Sequence, residues 1–180
     1  MISANLKEKI IKIKLLILDV DGVLSDGKII LSDDGTETKN FNVKDGLGML
    51  LLQMFGIKLA VITGKSSNII QNRLMVLGID DIYHGQKNKI KAFFDLLKKY
   101  NLTREEVAYI GDDLPDLAPM KKSAVSFAPF NAMPVIKSQV DYVTMNDGGH
   151  GAVREICDLI LECKGVLQQI INNYITQGEA

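Results

Sequence analysis

The 180-residue chain has little cysteine, little histidine and almost no net charge. Its two cysteines, Cys157 and Cys163, stand six residues apart in a helix-like segment. Six residues turn a helix by about 600°, so the pair faces different ways. No disulfide framework is expected, and buried reduced thiols in a cytoplasmic protein are. His84 and His150 have no partner at metal-ligand spacing, so neither is assigned a role. A net charge of −1 supplies no basic field for nucleic acid or an anionic membrane. No run approaches the ~18 apolar residues of a membrane-spanning helix. Charged residues punctuate Met1 to Lys14, so no secretory leader is expected there. Repeats, low-complexity stretches and linkers are missing too. With 47% apolar and 24% charged residues, residues 1–180 read as one globular domain.

What is present is a set of short apolar runs that end in chemistry. Leu15-Leu16-Ile17-Leu18 runs directly into Asp19-Val20-Asp21-Gly22. A continuous apolar run bounded by a turn signal suits a strand buried on both faces of a parallel sheet. Side chains two apart point the same way, which brings the Asp19 and Asp21 carboxylates together as the strand ends. Two acids there repel, and a divalent cation would offset the repulsion. Leu59 to Ile62 ends in Thr63-Gly64, and Val107 to Gly111 ends in Asp112, Asp113 and, after Leu114-Pro115, Asp116.

Between these runs lie helical patterns. Gly46 to Phe55 places Leu47, Leu50, Leu51 and Met54 on one face, and Gly56 ends it. Ser66 or Ser67 can cap a helix running to Leu77, before Gly78. Asn88 to Tyr100 is amphipathic, with Ile90, Phe93, Phe94 and Leu97 inward. Met49, Met54 and Met75 fall at apolar helical positions and are assigned to the core. Thr103 and Glu106 form a capping box. Short strands are expected at Ile82 to His84, Ala124 to Phe127 and Tyr142-Val143, with helices at Leu117 to Lys122, Ala132 to Lys137 and Ala152 to Cys163. Ile2 to Ile13 fits either a helix or an extended lead-in, and residues 165–180 read as a weakly helical tail that frays. Asp34-Gly35 between two extended stretches marks a β-hairpin over residues 28–42. The alternation predicts an α/β fold, a doubly wound and mostly parallel sheet with a protruding hairpin.

Ligands of such sheets bind beyond the carboxyl ends of the strands. There the chain would assemble Asp19, Asp21, Thr63, Lys89 and the Asp112–Asp116 cluster. A carboxylate attacking a phosphate dianion meets like charge, which a cation and an ammonium can offset. A second carboxylate can serve as proton donor. The inventory suits phosphoryl transfer.

The four segments Asp19-Val20-Asp21-Gly22-Val23, Thr63-Gly64, Lys89 and Gly111-Asp112-Asp113-Leu114-Pro115-Asp116 resemble, in order and spacing, the four motifs of the haloacid dehalogenase-like phosphatases. The resemblance covers most of the chain. It implies that Asp19 is the nucleophile and Asp21 the proton shuttle. It implies Mg²⁺ held by Asp19, Asp112 and the Asp21 backbone carbonyl, with Thr63, Gly64, Lys65 and Lys89 around the phosphoryl group. Asp113 and Asp116 are then capping or supporting groups rather than ligands.

Many members of that superfamily close the site with an inserted cap. About forty residues separate Asp21 from Thr63 here, and about twenty-five separate Thr63 from Lys89. Neither interval holds a domain of ~50 residues once its own elements are subtracted. A capless member is expected, with the hairpin as cover. Phe41-Asn42-Val43-Lys44-Asp45-Gly46, Gly85-Gln86-x-Asn88-Lys89 and Gly148-Gly149-x-Gly151-Ala152-Val153-Arg154-Glu155 resemble the capless 3-deoxy-D-manno-octulosonate 8-phosphate phosphatases. That likeness implies a homotetramer joined through hairpins, a role in lipopolysaccharide synthesis, and substrate contacts from Asn42, Val43, Lys44, Asp45, Gly46 and Arg73. Lys44 and Lys65 stand where the family usually carries arginine, and lysine lacks the bidentate fork that suits a carboxylate. A nine-carbon sialic-acid-type 9-phosphate is therefore the competing substrate. A phospho-accepting receiver domain would need a different spacing of its acids, and an inactive assembly protein would not keep every catalytic position filled.

Overall fold

The computed structural model describes residues 2–178. In chain order it contains α1 (Ala4–Ile11), β1 (Leu15–Leu18), β2 (Ile30–Leu31), β3 (Glu37–Thr38), α2 (Val43–Met54), β4 (Lys58–Ile62), α3 (Asn68–Val76), β5 (Ile82–Tyr83), α4 (Lys89–Tyr100), β6 (Val107–Ile110), α5 (Leu117–Met120), β7 (Val125–Ala128), α6 (Pro134–Lys137), β8 (Tyr142–Val143), α7 (Ala152–Cys163) and α8 (Leu167–Gln177). No helix among the described residues is long and apolar enough to cross a membrane.

Six strands form one parallel sheet in the order β5-β4-β1-β6-β7-β8. The central strand β1 is apolar and buried at every position, as pairing on both edges and cover on both faces require. From β1 the chain moves outward to β4 and β5 on one side, then returns to β6, β7 and β8 on the other. The direction reverses at β1, which makes its carboxyl end the switch point of the sheet. Register sharpens this: Leu18 pairs with Val61 and with Ile110, so Asp19, Thr63 and Asp112 leave three neighbouring strands at nearly one level.

Helices cover both faces. Leu16 and Leu18 pack in a core with Leu6 and Ile10 of α1, Leu52 of α2, Leu74 of α3 and Ile156 of α7. Leu15 and Ile17, pointing the other way, join Phe93 and Leu96 of α4, Met120 and Ile136. The hairpin stands apart as a two-stranded sheet, with Leu31 opposite Glu37 and Ile30 opposite Thr38. Among the described residues no inserted cap interrupts the sheet. The Thr103–Glu106 capping box forms with both of its bonds.

The lead-in is a helix, capped by Ser3, whose hydroxyl accepts from the Leu6 amide. The tail is helical through Gln177, and the expected fraying at residues 179–180 lies outside the described residues. Ser67 occupies the N-cap of α3 without a side-chain capping bond.

Three expectations are corrected. Helix α2 begins at Val43 rather than Gly46, because the Asn42 side chain caps it through the Lys44 amide. Its buried face carries Asp45, Gly46, Gly48, Met49, Leu51 and Leu52, whereas Leu47, Leu50 and Met54 are exposed. The small residues face inward because α7 packs close: a Cβ on Gly48 would lie 2.9 Å from Arg154 Cδ. Met54 and Met75, assigned to the core, are both exposed, and so is Phe94, whose ring instead packs edge-on against Phe93. Adjacent residues of α3 test this burial. Leu74→Ala is expected to lower unfolding free energy by about 2–5 kcal/mol, and Met75→Ala by about 0.5 kcal/mol or less, in urea denaturation.

Candidate active site

The carboxyl edge of the sheet opens into a cleft of about 420 Å³. It is lined by Asp19, Asp21, Thr63, Gly64, Lys65, Lys89, Asp112, Asp113 and Asp116, together with Gln86, Lys87 and Pro115. Each strand end delivers its group through a tight turn. After Asp19 the amides of Val23, Leu24 and Ser25 all donate to the Val20 carbonyl, while no donor among the described residues reaches the Asp21 carbonyl. Gly22 sits at φ +88° in this turn, and a Cβ there would lie 2.1 Å from Asp112 Oδ2. Only glycine permits both that backbone and that approach. After β6, a Cβ on Gly111 would lie 2.3 Å from that of Asp116, so this position too must stay bare for Asp116 to fold back over the strand end.

Asp116 is almost fully buried and saturated with donors. Its Oδ1 accepts from Lys89 Nζ and from Tyr109 Oη, each at 2.8 Å, and its Oδ2 accepts from the Asp112 amide at 3.3 Å. Lys89, the first residue of α4, also lies 2.8 Å from Asp19 Oδ1. A cation at a helix N-terminus opposes the helix dipole, and burial disfavours its charge as well. Asp19 and Asp116 more than offset both, so the lysine pKa stays above its ordinary value. Burial, and then the Asp116 charge, push Asp19 up to about 7 against the opposing pull of Lys89. The same two causes push Asp112 up to about 7. Thr63 is buried, with its hydroxyl accepting from the Lys65 amide at 3.3 Å and its carbonyl from the Gln86 amide at 2.9 Å. Asp113 accepts from the Leu114 amide at 2.7 Å, a cap for the turn that carries Asp116.

The haloacid dehalogenase-like hydrolase family profile matches residues 52–156, more than half of this sequence and including Thr63, Lys89 and the Asp112–Asp116 segment. The 3-deoxy-D-manno-octulosonate 8-phosphate phosphatase KdsC of Escherichia coli K12 is 47% identical over 168 residues, 93% of this chain and 89% of its own. The chain belongs to the haloacid dehalogenase-like hydrolases.

Solved structures of this hydrolase family superpose closely. A 3-deoxy-D-manno-octulosonate 8-phosphate phosphatase from Moraxella catarrhalis, in complex with magnesium ion, phosphate ion and KDO, gives a TM-score of 0.92 at 43% identity, covering 96% of this chain and 99% of its own. The cobalt-bound enzyme from Haemophilus influenzae gives 0.89 at 39% identity, covering 93% and 99%.

The donor set fits a hard divalent cation such as Mg²⁺, the cofactor of this hydrolase family. Carboxylate oxygens of Asp19, Asp112 and Asp116 lie within 4.8 Å of one another, and among the described residues no nitrogen or sulfur ligand of histidine or cysteine accompanies them. Because both Asp116 oxygens are engaged by donors, Asp19, Asp112 and the free Asp21 carbonyl are the groups left for the ion.

Not every expected site residue reaches the cleft. Asn42 caps α2, Val43 is exposed, and Lys44 borders a separate hollow beside His150, Arg154 and Asp158. Asp45 is buried beneath α7, accepting from the Arg154 amide at 2.8 Å, and Gly46 packs against Arg73. These six residues line no part of this cleft within one copy. Conversely, Lys39 comes in from the hairpin unforeseen. Its Nζ lies 2.5 Å from Asp21 Oδ1 and 3.2 Å from Glu37 Oε1. Burial works against its charge, but the two acids hold its pKa above the ordinary value. The period-two rule puts Glu37 and Lys39 on one face of the hairpin strand, a signal that could have found the pair.

The raised acids set a pH dependence. Asp19 and Asp112 shift from 3.8 to about 7, so between these values the folded chain holds protons that the unfolded chain has released. Stability therefore falls as pH rises through that window, and a cation that binds the ionised pair restores it. With divalent ions stripped by a chelator, Tm is expected to fall between about pH 5 and about pH 8. Added Mg²⁺ is expected to raise Tm more at the higher pH. A Tm indifferent to both contradicts the assignment.

Proposed function

We propose that this chain is a Mg²⁺-dependent phosphatase that hydrolyses 3-deoxy-D-manno-octulosonate 8-phosphate to the free sugar acid and inorganic phosphate, a step in lipopolysaccharide synthesis. The observation that carries the reading is the meeting of Asp19, Asp21, Thr63, Lys89 and Asp112 at one switch point, in a chain 47% identical to a phosphatase of that name. The bound phosphate and KDO of the Moraxella catarrhalis relative support the same substrate.

The chemistry follows from the groups in the cleft. Asp19 attacks phosphorus, forming a P–O bond to its carboxylate as the bond to the sugar oxygen breaks. The leaving oxygen takes a proton from Asp21. Water then attacks the aspartyl-phosphate, giving its proton back to Asp21, and cleavage of the P–O bond to Asp19 restores the carboxylate. Splitting one displacement into two lets a single pre-oriented carboxylate serve both. Lys89 anchors Asp19 and contributes positive charge beside the phosphoryl oxygens, with the Thr63 hydroxyl and the backbone at Gly64 as hydrogen-bonding groups on that wall. Asp19, Asp112 and the Asp21 carbonyl would hold Mg²⁺, which would supply charge neutralisation for the approach of one anion to another. Lys65, exposed on the rim and 3.9 Å from Glu37 Oε1, would meet the sugar carboxylate.

Self-association through the hairpins completes the reading. Ile29, Ile30 and Leu31 are exposed on the hairpin, and Val43, Leu47, Leu50 and Met54 form an exposed apolar stripe along α2. Both surfaces suit a second copy of this chain, and a homotetramer would cover the hairpin edges. A cytoplasmic location fits the two free cysteines, Cys157 and Cys163.

Asp19→Asn is expected to lower kcat by at least about 10⁴-fold. EDTA is expected to abolish turnover and Mg²⁺ to restore it; activity that survives either treatment contradicts the mechanism. Across a panel of sugar phosphates, kcat/KM is expected to be highest for the eight-carbon acid, and a preference for the nine-carbon 9-phosphate would reassign the substrate. Sedimentation at micromolar concentration is expected to show a tetramer, and a monomer would overturn the assembly.

A further inference from the structure

We propose that Lys39 is a positioning residue for Asp21, fixing from the hairpin which carboxylate oxygen faces the leaving group. This rests on the reading of Asp21 as proton donor. The hairpin is otherwise a solvent-exposed element, with Ile29, Leu31, Asp33, Asp34 and Thr38 all open to water. Lys39 departs furthest from that pattern: its side chain is 1% exposed and its ammonium sits between Asp21 Oδ1 at 2.5 Å and Glu37 Oε1, on a half-buried residue, at 3.2 Å. A surface hairpin gains little from burying a lysine, since desolvation opposes it and each pair repays only part. The placement makes sense as a constraint on Asp21.

The constraint is directional. Ser25 Oγ also lies at Asp21 Oδ1, at 3.4 Å, and no hydrogen bond among the described residues reaches Oδ2. Both contacts therefore hold one oxygen and leave Oδ2 to carry and deliver the proton. In the step itself the proton passes from Asp21 to the bridging oxygen as the P–O bond breaks, and Lys39 neither gives nor takes one. Without Lys39 the carboxyl can rotate about its last bond, and the proton is no longer held on the line to the leaving oxygen.

A donor matters in proportion to the basicity of the leaving group. An alkoxide from a sugar needs the proton; p-nitrophenolate, a weakly basic anion, does not. The test is kcat/KM, which reports phosphoryl transfer to Asp19, for the sugar phosphate and for p-nitrophenyl phosphate. In Lys39→Met it is expected to fall about a hundredfold for the sugar phosphate and less than about fivefold for p-nitrophenyl phosphate. Lys39→Gln gives the same ratio should the methionine variant not fold, and Lys39→Arg recovers most of the loss. Equal losses on both substrates, or no loss on the sugar phosphate, overturn the proposal. Asp21→Asn separates the two readings. If it shows the leaving-group dependence and the Lys39 variants do not, only the role of Lys39 falls. If Asp21→Asn loses equally on both substrates, the donor reading falls and takes the positioning role with it.

Discussion

One buried ammonium organises the site. Lys89 Nζ stands 2.8 Å from both Asp19 and Asp116, at the first turn of α4 and below the strand ends of β1 and β6. Removing it would leave two buried carboxylates facing each other with no counter-charge, a situation worth several kcal/mol. The consequences spread outward. Because Asp116 is held by Lys89 and Tyr109, the turn after β6 is pulled back over Gly111, and that turn presents Asp112 to the cleft. Because Asp19 is held by the same lysine, its carboxylate is oriented before any substrate arrives.

The acids still outnumber the cations around that ammonium. Burial and then the Asp116 charge raise both Asp19 and Asp112 to about 7, so ionising the pair is costly without a further cation beside Lys89. A site in that state has affinity for a divalent ion built into its electrostatics. On the outer side a second lysine, Lys39, answers Asp21. Two carboxylates in one motif thus meet two cations from opposite directions, one from the core and one from the hairpin. That asymmetry suits two roles: Asp19 is fixed by the sheet and its helices, Asp21 by an element at the surface.

Much of this was legible in the residues. A run such as Leu15 to Leu18 has few uses except a doubly covered strand, and Asp19, Thr63 and Asp112 announce themselves by following such runs. The absent cap was a matter of counting residues. What stayed hidden depended on contacts between distant segments. The exposed stripe of α2 holds large apolar residues and the buried one holds Gly46 and Gly48, so a reading by side-chain size chose the wrong face. Close packing against α7 inverted the rule. Lys39 lies 18 residues from Asp21, and although its period-two spacing from Glu37 puts the two on one face, nothing in the hairpin names Asp21 as the partner. The segment Asn42 to Gly46 resembles a substrate-binding stretch in sequence, yet within this copy Asn42 serves a helix cap and Asp45 the α2–α7 contact.

The central claim is that Asp19, held by Lys89, becomes covalently phosphorylated. Reductive trapping tests it most directly. An acyl phosphate quenched with borohydride during turnover is reduced to an alcohol, converting the aspartate that carried it to homoserine. Peptide mass mapping is predicted to find homoserine at position 19 and at no other aspartate. Homoserine at Asp21 or Asp112, or none under conditions of full turnover, would contradict the account.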